Sequence, residues 1–212
     1  MSKYIYAEPK WSEEDPKALA VAIIKEGAQV LDVGCGVGGF GKWLIEHKHC
    51  FVDGLEFHPD AVAAARMNLT SVQEVNLEDL HAVEAALGNK TYNVISLIDV
   101  LEHCLHPREL LETFGKHLVK DGQIVVSVPN VANHTVRLGL LCGNFDYQDS
   151  GILDRTHLHF YTRASALDLI AKAGYTVEML DYTIPKRGFW KYVAFIDPTW
   201  SAVQFVVVGH LT

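Results

Sequence analysis

The run Val30-Leu31-Asp32-Val33-Gly34-Cys35-Gly36-Val37-Gly38 decides the fold of this chain. Its first half is apolar, as in a buried strand, and its second half has glycines at alternate positions. Glycine lets the backbone turn sharply and approach a ligand without a Cβ in the way. Because an amphipathic stretch follows through Trp43 to about His47, the run predicts a strand, a tight ligand-binding loop and a helix.

Outward from this run, apolar and amphipathic stretches alternate from about residue 17 to residue 128. The predicted strands are Gln29–Val33, Phe51–Leu55, Val72–Val75, Tyr92–Ile98 and Gln123–Val128. The predicted helices are Ala18–Ile24, the one reaching His47, Pro59–Asn68, Asp79–Leu87 and Pro107–Leu118. Such alternation with continuously apolar strands predicts an α/β protein with a parallel sheet covered on both faces.

The pattern changes after Pro129. A helix is expected over Val131–Leu141, then a polar loop from Gly143 to His157, then a helix over Ala164–Ala173. The β-rich runs Tyr175–Ile184 and Ala202–Val208 have no helix between them, which predicts an antiparallel pair at the sheet edge. No linker divides the chain, so residues 1–212 are expected to form a single domain.

Composition narrows the class of protein. The chain has 212 residues, 49% of them apolar, and a formal net charge of −8, which argues against a general electrostatic grip on nucleic acid. No apolar run reaches the roughly 20 residues that a bilayer requires, so membrane insertion is not expected. Cys35, Cys50, Cys104 and Cys142 have no disulfide-like spacing, and we expect free thiols in a cytoplasmic protein.

Two carboxylates indicate what the glycine loop binds. Glu56 closes the second predicted strand, 22 residues after Gly34, where it can accept hydrogen bonds from both ribose hydroxyls of an adenosine-type cofactor. Asp32 precedes the glycines, where it can order the loop or meet an ammonium group. The glycines also match the nicotinamide-dinucleotide pattern, but Asp32 would repel a pyrophosphate at that loop.

These motifs resemble class I S-adenosylmethionine-dependent methyltransferases over nearly the whole chain. The resemblance rests on Val30–Gly38, on Gly54-Leu55-Glu56-Phe57-His58-Pro59, on Asn76-Leu77-Glu78-Asp79-Leu80 and on Asp99-Val100-Leu101-Glu102-His103. It implies a Rossmann-like fold, with a seven-stranded, mostly parallel sheet ending in an antiparallel hairpin, and S-adenosylmethionine as cofactor. The binding residues it implies are Asp32, Gly34, Cys35, Gly36, Gly38, Glu56, Phe57, Asn76, Leu77, Glu78 and Asp99.

A narrower resemblance concerns the acceptor. Tyr6-Ala7-Glu8-Pro9, Pro129-Asn130-Val131, Asn144-Phe145-Asp146-Tyr147 and the run from Leu153 to Thr162 resemble bacterial methyltransferases of cell-surface polysaccharide pathways. This implies O-methylation of a sugar-bearing small molecule, a glycan or a nucleotide-sugar. It also implies that residues 1–28 cover the cofactor and that 130–163 form an acceptor-side insertion. Because α/β sheets bind ligands under the loops at their strand ends, Phe145 and Tyr147 of the long loop are candidates to cover an acceptor pocket.

The catalytic residues expected from these patterns are His157, Asp99 and His103. Histidine suits removal of a hydroxyl proton because its ordinary pKa lies near 6.5, and His157 is the candidate general base. Another base, or catalysis by proximity alone, is the open alternative. If Asp99 opens a helical turn, Asp99, Glu102 and His103 share one face and can hold a divalent cation. The segment resembles the metal-binding part of ubiquinone-pathway O-methyltransferases, with His157 as a further ligand. The metal-free site is favoured.

The sequence leaves two further questions open, whether the protein is catalytic and whether it forms a dimer. A cofactor-binding subunit without catalysis of its own is the alternative to an enzyme, and the ionisable residues around Asp99 and His157 count against it. The edge hairpin with its tryptophans, Trp190 and Trp200, can either pair with a second copy of the chain, which gives a homodimer, or simply cap the core.

Overall fold

The computed structural model describes Trp11, residues 15–184 and residues 197–212. One seven-stranded sheet runs through it in the order β3-β2-β1-β4-β5-β7-β6. The strands are β1 Gln29–Val33, β2 Phe51–Glu56, β3 Ser71–Glu74, β4 Tyr92–Ile98, β5 Leu118–Pro129, β6 Tyr175–Thr183 and β7 Gln204–Leu211. Neighbours from β3 to β5 pair in parallel, and β7 runs antiparallel to both β5 and β6. The predicted fold class is confirmed.

Helices cover both faces of this sheet. They are α1 Pro16–Ile23, α2 Gly39–Lys48, α3 Pro59–Ala65, α4 Leu80–Leu87, α5 Pro107–Gly115, α6 His134–Leu141 and α7 Arg163–Lys172, with 3₁₀ turns at Leu101–His103 and Pro198–Trp200. Proline stands at the start of α1, α3 and α5, where its missing N–H costs no hydrogen bond. A proline therefore marks the first turn of each of these three helices.

The core consists of two apolar layers, one on each face of the sheet. Alternate residues along each strand point to opposite layers: Leu31 and Val33 of β1 pack into one, and Val30 packs into the other. Strand β5 alternates in the same way, with Val125 facing away from Val126. Because both faces are covered, the central strands are mostly apolar, as the sequence predicted, with Asp32, Ser96 and Ser127 as buried polar exceptions.

The register of the central strands determines where ligands can bind. Val33 at the end of β1 lies beside Leu55 of β2 on one side and Leu97 of β4 on the other. The chain order reverses here, since β2 and β3 lie to one side of β1 and β4 and β5 to the other. Open α/β sheets bind ligands in the crevice at such a switch point. The loops after β1, β2 and β4 therefore meet at one edge.

Some predicted boundaries are wrong for local reasons. Helix α6 begins at His134 instead of Val131, because the Asn133 side chain accepts from the Thr135 amide and the Val131 amide bonds to the Tyr161 carbonyl. Helix α5 ends at Gly115 instead of Leu118, because Leu118 already pairs with Tyr92 in the sheet.

Three further expectations concern pairing of copies, the cysteines and membrane insertion. Strand β6 is an edge strand, but pairing of two copies there stays a prediction, and Trp190 lies outside the described residues. All four cysteines are free thiols. Within the described ranges, no helix combines the length and apolar character needed to cross a bilayer.

Candidate cofactor and acceptor site

The glycine loop is tied to the neighbouring strand. The amides of Gly34 and Cys35 both donate to the Leu55 carbonyl, at 2.8 and 3.1 Å. Gly34 and Gly36 have φ of +67° and +55°, in the left-handed region that side chains disfavour. A Cβ on Gly34 would lie 3.0 Å from the Val100 side chain, whereas one on Gly36 would point into open space. Gly36 thus leaves room at the loop for a ligand.

The Glu56 carboxylate organises the loops after β1 and β2. One oxygen accepts from the Gly36 amide at 2.9 Å, and the other accepts from the amides of Phe57 and His58, each at 2.9 Å. Glu56 is buried at 9% exposure. A carboxylate has about four acceptor positions, so this residue retains capacity for a further hydroxyl donor from a ligand.

Asp32 is a buried carboxylate with an unused oxygen. One oxygen accepts from the Ser96 hydroxyl at 3.1 Å, while Oδ2 has no hydrogen-bond partner within the described part of the chain. Burial raises the pKa of Asp32 to about 6, against the effects of the Ser96 hydrogen bond and the Lys17 charge. An unpaired buried carboxylate oxygen is costly unless a cationic donor reaches it. A ligand ammonium group satisfies that requirement.

These residues border a cleft of about 810 Å³, here called the cofactor cleft. Its lining includes Asp32, Gly34, Cys35, Gly36, Glu56, Phe57, Asn76, Leu77, Glu78 and Asp99, together with Trp11 and Lys17. Of the expected binding residues, Gly38 does not border the cleft: it caps the start of α2, and a Cβ there would meet Leu69 at 3.1 Å. Gly38 therefore shapes the turn behind the cleft.

Several residues of the cleft already have structural partners. The Glu78 carboxylate accepts from the Leu105 amide at 2.9 Å, and the Asn76 side-chain oxygen accepts from the Glu78 amide at 3.1 Å. Cys35 packs behind the loop, where a Cβ on Gly54 would lie 2.6 Å from its sulfur, and burial raises the pKa of the thiol. Phe57 is 56% exposed, so its ring is open to a flat ligand.

Asp99 stands where the cofactor cleft meets a smaller cavity. Asp99 and His103 border both the cleft and a cavity of about 200 Å³, here called the small cavity, which Glu102, Ile152, His157 and Gln204 also line. Asp99 has a left-handed backbone, with φ of +57°. Its carboxylate accepts from Ser127 at 2.9 Å and from the Gln204 amide group. Although Asp99 is open to the cleft, the surrounding walls displace water and raise its pKa.

The two histidines of the small cavity lie in ring contact, with centroids 4.8 Å apart. His157 Nδ1 lies 3.1 Å from the Ile152 carbonyl and must donate to it, so Nε2 is the acceptor nitrogen of the neutral ring. His103 Nδ1 lies 3.2 Å from the Thr156 hydroxyl, whose own proton goes to Asp154, so His103 also presents Nε2 as acceptor. Burial lowers the pKa of His157, against the effect of its hydrogen bond to the Ile152 carbonyl.

The comparison with protein families decides the assignment. A family model described as a methyltransferase domain matches residues 6–180. The chain belongs to this methyltransferase family. The Rossmann-like fold expected for the family is present, and S-adenosylmethionine is the cofactor that membership implies. The orphaned Asp32 oxygen, the residual acceptor capacity of Glu56 and the open space at Gly36 fit that cofactor, and the nicotinamide alternative is set aside.

Relatives within this methyltransferase family match part of the chain. Ubiquinone biosynthesis O-methyltransferase of Glaesserella parasuis is 27% identical over 110 residues, which are 49% of this chain and 46% of that protein. Probable (S)-tetrahydroprotoberberine N-methyltransferase 2 of Papaver bracteatum is 32% identical over 111 residues, 50% of this chain and 30% of that protein. The chain thus spans less than half the length of these relatives.

A solved structure extends the likeness of fold. The S-adenosylmethionine-dependent methyltransferase of Mesorhizobium loti superposes with a TM-score of 0.64 at 17% identity, over 91% of this chain and 95% of that one. At this identity the likeness concerns the fold alone. The resemblance to polysaccharide-pathway enzymes concerns the acceptor, and it stays a prediction.

The helical turn expected to start at Asp99 is wrong. The left-handed backbone at Asp99 places the 3₁₀ turn at Leu101–His103, and the Asp99 carboxylate is bound by Ser127 and Gln204. The residues whose ligand atoms lie within 4.8 Å of one another are Glu102, His103 and His157, without Asp99. Burial, and then the charge of Asp99, raise the pKa of Glu102 to about 8, and its Oε2 has no hydrogen-bond partner among the described residues.

Sequence reasoning missed several residues of this methyltransferase site. Ser96, Ser127 and Gln204 hold the two aspartates, and Lys17 borders the cleft. Ser96 and Ser127 interrupt otherwise apolar strands and are fully buried, which is the signal that could have revealed them. Gln204 lies 105 residues from Asp99 and gives no local signal.

Proposed function

We propose that this methyltransferase domain methylates a hydroxyl oxygen of a sugar or sugar-bearing small molecule. The observation that carries the proposal is the position of His157, which lines a small cavity that meets the cofactor cleft at Asp99 and His103. S-adenosylmethionine supplies an electrophilic methyl group on a sulfonium. The chain then has to place a hydroxyl in line with that group and remove its proton.

Cofactor binding in this proposal uses the polar groups of the cleft. Asp32 meets the ammonium group with its unpaired oxygen, and Glu56 holds the ribose hydroxyls with its remaining acceptor positions. Asn76, Leu77 and Glu78 lie along the adenine edge. The assignment of residues 1–28 as a cover for the cofactor draws support from Trp11 and Lys17, which border the cleft from that segment.

Proton removal falls to His157. The Ile152 carbonyl fixes its tautomer and orientation, and burial lowers its pKa, so the ring is an unprotonated acceptor at neutral pH. Asp99, held by Ser127 and Gln204, is a fixed carboxylate at the junction of the two spaces and orients the acceptor hydroxyl. His103 supports His157 through ring contact.

The sugar class of the acceptor rests on the segment 130–163. It resembles the acceptor side of polysaccharide-pathway methyltransferases, and it supplies Gly151, Ile152 and His157 to the small cavity. A cavity of about 200 Å³ has room for a single ring. We expect a glycan end or a nucleotide-sugar there, and the net charge of −8 counts against nucleic acid.

The test follows a labelled methyl group. Purified protein receives S-adenosylmethionine labelled on the methyl carbon, with glycan, nucleotide-sugar, phenol and RNA fractions in separate reactions. Label in a saccharide fraction, lost in His157→Gln while cofactor affinity is retained, supports the proposal. Label confined to phenols or RNA contradicts the sugar assignment, and full turnover in His157→Gln places the base elsewhere. If the cofactor binds but no fraction becomes labelled, the result favours the alternative of a non-catalytic cofactor-binding subunit.

A second candidate is a divalent-metal-assisted O-methyltransferase. The grouping of Glu102, His103 and His157 supports it, because both rings present Nε2 and the carboxylate has an unpaired oxygen. A cation bound there would polarise the acceptor hydroxyl. Loss of turnover on chelation, restored by a divalent ion, favours this candidate, and turnover that survives chelation favours the metal-free site.

A further inference from the structure

Beyond the small cavity, three aromatic rings cluster on the acceptor-side segment. The ring of Phe145 lies 5.7 Å from that of Tyr147 and 5.6 Å from that of Phe160, and the Tyr147 and Phe160 rings are 6.3 Å apart. Phe145 and Tyr147 are 36% and 54% exposed. We call these three residues the aromatic platform. The Phe145 ring is nearly perpendicular to the rings of Tyr147 and Phe160, at 86° and 75°, so the cluster presents both ring edges and ring faces, and Tyr147 is its most exposed member.

The aromatic platform adjoins the small cavity at His157. The ring of Phe160 lies 6.3 Å from that of His157, which lines the cavity and touches His103 at its junction with the cofactor cleft. A ligand whose first ring occupies the small cavity would therefore have the platform within reach of its next ring. This proximity ties the platform to the acceptor of the proposed reaction.

The loop that carries the platform is held by backbone hydrogen bonds. The Asn144 amide donates to the Gly139 carbonyl at 2.8 Å, and the Gln148 amide donates to the Leu153 carbonyl at 2.8 Å. The Arg155 amide returns a bond to the Gln148 carbonyl at 3.0 Å. A platform on an anchored loop is prepared for a ligand and loses little further entropy on binding.

Charge on this loop selects among ring-bearing acceptors. The aromatic residues alternate with amide and carboxylate side chains in Asn144-Phe145-Asp146-Tyr147-Gln148-Asp149, all of them exposed. A sugar has an apolar C–H face for the rings and hydroxyls for those polar groups. The Arg155 guanidinium is paired with Asp149 at 2.7 Å, which leaves the loop acidic toward phosphate.

We propose that Tyr147, held by ring contacts with Phe145 and Phe160, stacks against the second ring of a neutral saccharide acceptor at least two rings long, whose first ring enters the small cavity. This inference rests on the proposed sugar O-methylation and narrows its acceptor to a neutral glycan end, against a nucleotide-sugar. Stacking on Tyr147 sets acceptor affinity and does not enter the methyl-transfer step.

The experiment measures methyl transfer by the full chain into defined saccharide pools. Neutral oligosaccharides released from bacterial surface polysaccharide are separated into a monosaccharide pool and a di- and trisaccharide pool, with nucleotide-sugars as a third pool. Tyr147→Ala and Phe145→Ala are compared with Tyr147→Phe, which keeps the ring. Phe51→Ala is the matched control, because Phe51 is 54% exposed but lies at the start of β2, the opposite end from the site.

We expect Tyr147→Ala to raise KM for the di- and trisaccharide pool by roughly three- to tenfold, from the usual strength of ring contacts. Turnover at saturation, cofactor affinity and Tm should stay near wild type, as they should in Phe51→Ala, and Tyr147→Phe should restore KM. The monosaccharide pool should be used poorly by every variant, because it cannot reach the platform.

The outcomes separate this inference from the proposed function. Label in saccharides with an unchanged KM in Tyr147→Ala overturns the platform and leaves sugar methylation standing. If Tyr147→Ala lowers Tm enough to explain its loss of activity, the rings serve packing, and the platform inference is overturned as well. Preference for nucleotide-sugars contradicts the neutral-acceptor assignment. Absence of label from every saccharide pool overturns both proposals together.

Discussion

Replacing Asp32 with asparagine should make the free protein more stable and a weaker cofactor binder. In the free protein Asp32 is 5% exposed, and at neutral pH it carries a charge with one oxygen unpaired among the described residues. Asparagine has nearly the same shape and still accepts from Ser96, but it has no charge to bury. The residue therefore serves binding at the expense of stability.

The magnitude follows from the pKa of the carboxyl. A shift from 3.8 to about 6 corresponds to an ionisation cost of about 3 kcal/mol at pH 7.5. In the variant the side-chain N–H₂ group of asparagine has no partner, which costs about 1 kcal/mol. We therefore expect the free energy of unfolding to rise by about 2 kcal/mol. Loss of the charged partner of an ammonium group should weaken cofactor binding by roughly ten- to a hundredfold.

Urea denaturation at two pH values tests the sign. Because the folded pKa is raised, the cost is present above about pH 6 and is lost as pH falls toward 3.8, where the carboxyl is protonated in both states. The stability advantage of Asp32→Asn should thus shrink by about 2 kcal/mol between pH 7.5 and pH 4.5. Isothermal titration with S-adenosylmethionine measures the loss of affinity.

Asp53 provides the control with the opposite sign. Burial alone would raise its pKa, but hydrogen bonds from Lys90, Ser71 and Tyr92 lower it, so its ionised form stabilises the fold. Asp53→Asn should destabilise the protein at pH 7.5 and leave cofactor affinity unchanged. The reasoning is refuted if Asp32→Asn is less stable than wild type at pH 7.5, or if its advantage does not change with pH.

Three further predictions concern the same site. Wild-type affinity for S-adenosylmethionine should fall about tenfold from pH 7 to pH 5, as Asp32 is protonated, and a flat titration curve would count against its role. Gly36→Ala should lower the free energy of unfolding by about 1 kcal/mol, because the φ of Gly36 is +55°, and should weaken cofactor binding because the new methyl group fills the cleft. Gly27→Ala is the control: its φ is +73° and its Cβ would also meet open space, so it should lose similar stability and bind the cofactor normally. Gln204→Met should lower turnover roughly tenfold by releasing Asp99, with cofactor affinity unchanged in calorimetry; normal turnover would show that the contact is dispensable.

Local sequence patterns predicted much of the fold. Apolar alternation and glycine spacing placed every strand of the sheet, because strand burial and tight turns leave a signal within a few residues. The same logic placed Asp32 and Glu56 at one edge, since parallel strands end together at the switch point. Boundaries of α5 and α6 were wrong because they depend on contacts with distant chain segments, such as the bond from Val131 to Tyr161.

The acceptor side was decided by tertiary structure. Asp99 has a left-handed backbone, and its carboxylate is bound by Ser127 of β5 and Gln204 of β7, which lie far from it in the chain. No pattern near Asp99 predicts these contacts. The ring contact between His103 and His157, and the tautomer of each, depend on carbonyl and hydroxyl groups supplied by another loop. The sequence alone determined the sheet, the glycine loop and its carboxylates, because those features arise from neighbouring residues. The protonation and orientation of the groups beside the acceptor arise from contacts between residues far apart in the chain, and only the folded structure determines them.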